Sequence, residues 1–98
     1  MKIEFSELSI CDLEDIKSYY TEQLVPKIGE RFILEIISHI EKLPDNPKIV
    51  RQVPEFQTPS IRELIHSPFR IVYVLNEASI QIIRVWRSER LMKLPLHN

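Results

Sequence analysis

The run Ile82–Met92, I-I-R-V-W-R-S-E-R-L-M, sets Arg84, Arg87 and Arg90 three residues apart with Trp86 among them. A guanidinium is permanently charged and grips carboxylate or phosphate through a planar fork of N–H groups. It cannot serve as a general base. Arginine and tryptophan are also the side chains that most often dominate interface energy. The cluster therefore fits recognition of an anionic or protein partner better than bond cleavage. Arg62 and Arg70, in two apolar runs upstream, extend the set.

Other chemistries find less support. His39, His66 and His97 are expected on a helix, at a hairpin bend and at the terminus, and none is followed by a second ligand three or four residues on. No metal site is expected from that spacing. Cys11, the lone cysteine, reads as a small apolar filler and excludes an intramolecular disulfide, which fits a reducing cytoplasmic compartment. The single glycine, Gly29, sits inside a helical pattern, so no phosphate-cradling loop is available. No cofactor is implied.

The chain has 98 residues, 44% of them hydrophobic, which fits one domain over residues 1–98. The N-terminus M-K-I-E-F-S-E-L is too acidic for a signal peptide, and no apolar run reaches the roughly 18 residues of a membrane span. The net charge of −1 hides an asymmetry: residues 1–47 hold ten acids and five bases, residues 48–98 eight bases and four acids. Either two solvated faces differ by chance, or the C-terminal half builds a basic working face.

The elements follow from periodicity. Lys2–Phe5 is a short strand. Ser6 or Ser9 is placed to cap a helix whose buried stripe reads Leu13, Ile16, Tyr20 and Leu24. Val25-Pro26 ends it and starts a second helix with Ile28, Phe32, Ile36, Ile40 and Leu43 on one face, up to Pro44. Pro44 to Pro59 holds four of the seven prolines and reads as an irregular connection. Ile61–Ile65, Phe69–Leu75 and Ser79–Trp86 are β-rich runs bounded by breakers, with links short enough for antiparallel hairpins. The fold class is α+β: an N-terminal strand, an antiparallel helical hairpin, then a three-stranded antiparallel meander, all in one sheet (β-α-α-β-β-β).

Strict alternation puts Phe69, Ile71, Tyr73 and Leu75 on one face of their strand and Arg70, Val72 and Val74 on the other. The next strand divides into Ile80, Ile82, Arg84 and Trp86 against Gln81, Ile83, Val85 and Arg87. Both faces are apolar, and two helices cover only one. The surplus face then marks a partner site, unless the Pro44–Pro59 connection and the tail Leu91–Leu96 fold across it.

The pieces R-Q-V-P-E-F (Arg51–Phe56), I-R-E-L (Ile61–Leu64), F-R-I-V-Y (Phe69–Tyr73) and I-I-R-V-W-R-S-E-R, with D-L-E-D-I-K-S-Y-Y (Asp12–Tyr20), resemble the RelE/ParE toxin superfamily of bacterial toxin–antitoxin modules in order and spacing. The resemblance implies the same fold and a ParD-like or related antitoxin whose C-terminal segment wraps the toxin. RelE-type members cut mRNA on the ribosome; ParE-type members poison DNA gyrase.

RelE-type cleavage implies a lysine pair, two arginines and a C-terminal tyrosine. Only Arg70 matches; the other positions fall at Ile61, Glu63 and near Ser88 and Leu94, and the histidine–tyrosine pair of a related subgroup is missing. A net charge of −1 also suits a ribosome binder poorly. The ParE-like reading keeps Arg62, Arg70 and Arg90, with Arg87 where the family often has histidine. It implies a gyrase-poisoning toxin without a catalytic group or direct nucleic-acid specificity. The alternatives are a RelE-type endonuclease working through Arg70, or a non-toxic protein that only binds an antitoxin. The expected target or antitoxin face is Arg62, Arg70, Arg84, Trp86, Arg87 and Arg90. Against it stands a fold role, with Trp86 plugging the core and the arginines paired to Glu63, Glu77 and Glu89.

Overall fold

The computed structural model describes residues 2–45 and 60–87. Its elements run β1 (Lys2–Phe5), α1 (Glu7–Glu22), α2 (Pro26–Glu41), a short 3-10 turn (Leu43–Asp45), β2 (Ile61–His66), β3 (Phe69–Leu75) and β4 (Ser79–Arg87). The four strands form one sheet in the order β1-β4-β3-β2. β2, β3 and β4 make the expected antiparallel meander, and β1 lies parallel to β4, which makes the sheet mixed.

Ser6 is the N-cap of α1: its hydroxyl accepts the Ser9 N–H at 3.0 Å. α2 starts with Pro26 in its first turn, where the missing N–H costs nothing. The two helices approach closely at Gly29, where a Cβ would come within 2.9 Å of the Tyr20 Cβ. α1 ends in a Schellman motif: Val25 N–H donates to the Tyr20 carbonyl and Leu24 N–H to that of Thr21. The residue in the left-handed position is Leu24, at φ 65° and 86% exposed. This corrects the stripe expected for α1: Leu24 leaves it because the chain has already turned, while Ser9 and Asp12 are buried instead.

Ile36 and Ile40 of α2 pack with Ile16 of α1 against Ile71, Tyr73, Ile80 and Ile82 of the sheet. Ile28, expected in this stripe, lies at the exposed end of α2 beside the hairpin turn. The alternation along β3 holds. Along β4 it fails, because Val72 pairs with Arg84 and Tyr73 with Ile82, leaving Ile83 as an extra, bulged residue. One inserted residue moves everything after it to the opposite face. Val85 and Arg87 therefore join Ile80 and Ile82 on the helix side, and Arg84 and Trp86 lie on the far side.

Candidate functional site

β1 accompanies β4 only as far as the Phe5–Ile82 pair. Beyond it, backbone groups on that edge of β4 need other partners, and α1 supplies them. The Ser6 hydroxyl donates to the Ile83 carbonyl at 2.8 Å, and the Asp12 carboxylate accepts the Val85 N–H at 2.8 Å. The same carboxylate takes Arg84 in a fork, Nε at 2.8 Å and Nη2 at 2.9 Å. Hydrogen bonding to Asp12 raises the Arg84 pKa further above its ordinary value, against a smaller opposing effect of burial. The Arg84 guanidinium also lies 4.7 Å from the centre of the Trp86 ring, at cation–π distance.

Arg87 sits on the helix side. Its Nη1 donates to the Tyr20 hydroxyl at 3.1 Å, and its guanidinium lies 5.5 Å from the Tyr19 ring centre and 5.9 Å from that of Phe69. Tyr19 is nearly half exposed. The end of β4 thus carries two arginines among four aromatic residues, Trp86 on the far side and Tyr19, Tyr20 and Phe69 on the helix side.

Cross-strand register orders the far face into rows: Ile65, Arg70 and Trp86; then Glu63, Val72 and Arg84; then Ile61, Val74 and Gln81. Arg70, Arg84 and Trp86 are thereby neighbours. At the centre, Glu63 is 1% exposed and Arg70 7%, and the two form an ion pair between β2 and β3. Arg62 is separated from this group on the helix side, near Tyr73. Arg90 lies outside the described residues.

Of the two apolar faces between which alternation does not choose, the one carrying Ile71, Tyr73, Ile80 and Ile82 is fully buried beneath the helices, and Val72 on the far face is buried as well. The more open part of that face is a groove of about 220 Å³ lined by Glu4, Phe5, Val74, Gln81 and Ile83 among others. The alternative fold role for the arginines is corrected in its partner: Arg84 takes Asp12 rather than one of the acids in the C-terminal half.

The histidines hold another departure. His39 of α2 and His66 of β2 meet with their Nδ1 atoms 3.0 Å apart, and His66 Nε2 lies 3.4 Å from a Glu35 oxygen. Burial lowers the His39 pKa, with His66 and Lys42 adding to the effect. The spacing of Glu35 and His39, four apart on one helix face, was the available sequence signal; the approach of His66 is a tertiary fact. Among the described residues no group of three or more metal-ligating side chains gathers. No helix there is long and apolar enough to cross a membrane.

The fold has solved relatives. A structure of the chromosomal ParDE toxin–antitoxin system from P. aeruginosa superposes with a TM-score of 0.75 at 21% identity, over 89% of this chain and 95% of that one. A mutant of the E. coli toxin RelE in complex with a peptide of its antitoxin RelBc superposes with a TM-score of 0.52 at 19% identity, over 94% and 90%. No curated protein sequence matches the chain. The family model of the ParE toxin of the type II toxin–antitoxin system parDE matches residues 3–92, and the chain belongs to that family.

Proposed function

We propose that this protein is a growth-inhibiting toxin that poisons DNA gyrase and is held inactive by a cognate, ParD-like antitoxin. The observation that carries this reading is the Glu63–Arg70 pair. Arg70 is the one position matching a RelE-type cleavage residue, and its charge is spent inside the sheet on a buried carboxylate. A guanidinium so held is poorly placed to neutralise a phosphate in a transition state. Glu63 itself stands where the nuclease pattern has a lysine, so that position supplies no cation for RNA either.

Gyrase poisoning asks only for a complementary surface. The end of β4, with Trp86, Arg84 and Arg87 beside the exposed Tyr19, has the composition of an interface hot spot. The antitoxin is assigned to the far face, where the groove beside Val74 and Ile83 accepts apolar side chains. Two assays with purified protein test the proposal. It should trap gyrase–DNA cleavage complexes and leave mRNA intact on programmed ribosomes; codon-specific cuts with no gyrase trapping would replace it by the RelE-type reading.

A further inference from the structure

From the convergence of two imidazoles we infer a second site, independent of toxicity: His39 and His66 chelate a borderline divalent transition metal such as Zn²⁺, Ni²⁺ or Cu²⁺, clamping α2 to the edge strand β2.

A carboxylate only accepts hydrogen bonds, so His66 Nε2 carries the proton that faces Glu35, and the tautomer protonated there alone turns a lone pair on Nδ1 toward His39. His39 Nδ1 then carries the proton shared between the rings at 3.0 Å. Moving that proton to Nε2 of His39 leaves two Nδ1 lone pairs facing each other across 3.0 Å, with no net change in charge, and a tilt of the rings turns both toward one ion.

The geometry is close to what a metal needs. Zinc–nitrogen bonds of about 2.0–2.1 Å at a tetrahedral angle set the two nitrogens about 3.4 Å apart, so the rings must open by about 0.4 Å. The rings already stand at 64° to one another rather than stacked. Glu35 on the far nitrogen of His66 supplies the carboxylate that commonly orients a metal-bound histidine and raises its basicity. The lowered His39 pKa keeps that ring in the neutral form a metal binds. Lys42, close enough to help depress His39, opposes the cation, while Glu35 favours it. The two protein ligands are nitrogen, and with the His66 side chain 21% exposed, water completes the coordination in the inferred site. An all-nitrogen pair selects imidazole-preferring metals over Mg²⁺ and Ca²⁺.

The test is calorimetric titration of ZnCl₂ and NiCl₂ into the full chain without an affinity tag, in a Cys11→Ser, His97→Ala background that removes two other donors. One metal per chain is expected, with a rise in melting temperature, weaker binding as pH falls, and no response to MgCl₂. His66→Ala and, separately, His39→Gln should each weaken binding by more than tenfold, and Glu35→Gln by about tenfold. If His66→Ala does not fold, His39→Gln, on the half-buried side of a helix, decides alone. No binding in the background protein, or binding that survives His39→Gln unchanged, overturns the site.

Discussion

Asp12 on α1 and Arg84 on β4 lie 72 positions apart and form a two-bonded ion pair whose carboxylate also accepts the Val85 N–H. One side chain thus seals the strand edge that β1 leaves open, docks the first helix and fixes the arginine. The two partners are unequal. Asp12 is buried and serves three N–H groups, whereas the Arg84 side chain is about a third exposed.

Asp12→Ala should therefore cost about 2–3 kcal/mol, because it strands the buried Val85 N–H together with a guanidinium. Arg84→Ala should cost about 1 kcal/mol, since Asp12 keeps its backbone donor and one side of the lost pair was already wet. Chemical denaturation of the two variants checks the order. Equal losses would mean that the Val85 contact contributes little.

Glu63 and Arg70 invite a different test. Truncating Arg70 alone leaves a fully buried carboxylate without its arginine, at a cost of about 3–5 kcal/mol. The double change Glu63→Leu, Arg70→Met removes both charges and should restore most of that stability. Gyrase trapping should return with the fold in the double variant. A stable double variant without activity would give Arg70 a direct part in target binding.

Much of this architecture is legible in the sequence because it rests on local rules. The Ser6 cap, the Pro26 restart, the Ile36–Ile40 stripe and the alternation in β3 each follow from neighbours within a few residues. The site is less legible, because long-range events build it. The bulge at Ile83 reverses the faces of Arg84, Val85, Trp86 and Arg87, and no breaker residue announces it. Asp12 reads as a helix-start acid favoured by the dipole, yet it is buried against a strand that forms 72 residues later. His39 and His66 read as isolated until α2 lies over β2. Leu24 fits the helical period but occupies a position that favours glycine, and periodicity is blind to backbone sign.

Gly29 tests the helix pair. Glycine inside a helix normally costs about 1 kcal/mol relative to alanine, so Gly29→Ala should stabilise on propensity alone. Here the new Cβ meets the Tyr20 Cβ at 2.9 Å, an atom fixed to its backbone rather than the end of a flexible chain. The helices must separate, and the net change should be a loss of about 1–2 kcal/mol. A raised melting temperature would show that the hairpin relaxes at little cost.

Tyr73 gives a pH signature. Full burial in the core pushes its pKa up to about 12, with Arg62 pulling weakly in the other direction. Between pH 10 and 12 the unfolded chain loses the phenolic proton while the native protein keeps it, so stability falls as pH rises, by about 2 kcal/mol at most. Melting curves from pH 9 to 11.5 should show this slope, and Tyr73→Phe should flatten it. A slope identical in the variant would assign the alkaline loss to other groups.

The end of β4 separates a partner surface from a fold device. Arg87 bonds the Tyr20 hydroxyl and lies against two rings, contacts that reach solvent at Tyr19. As packing alone, Arg87→Ala should cost about 1 kcal/mol of stability and leave growth inhibition intact. As part of a desolvated interface it should cost about 2 kcal/mol or more of binding, some thirtyfold, with the melting temperature nearly unchanged. Trp86 is half-buried and stacked by Arg84 on the far face, so it is not the core plug its hydrophobicity suggests. Its truncation should therefore cost less than the roughly 3–5 kcal/mol of a core indole and still abolish partner binding. Measured together, stability and gyrase trapping for Arg87→Ala and Trp86→Ala should separate, with the fold kept and the trapping lost. Trapping at wild-type strength in both variants would move the target surface away from this end of the sheet.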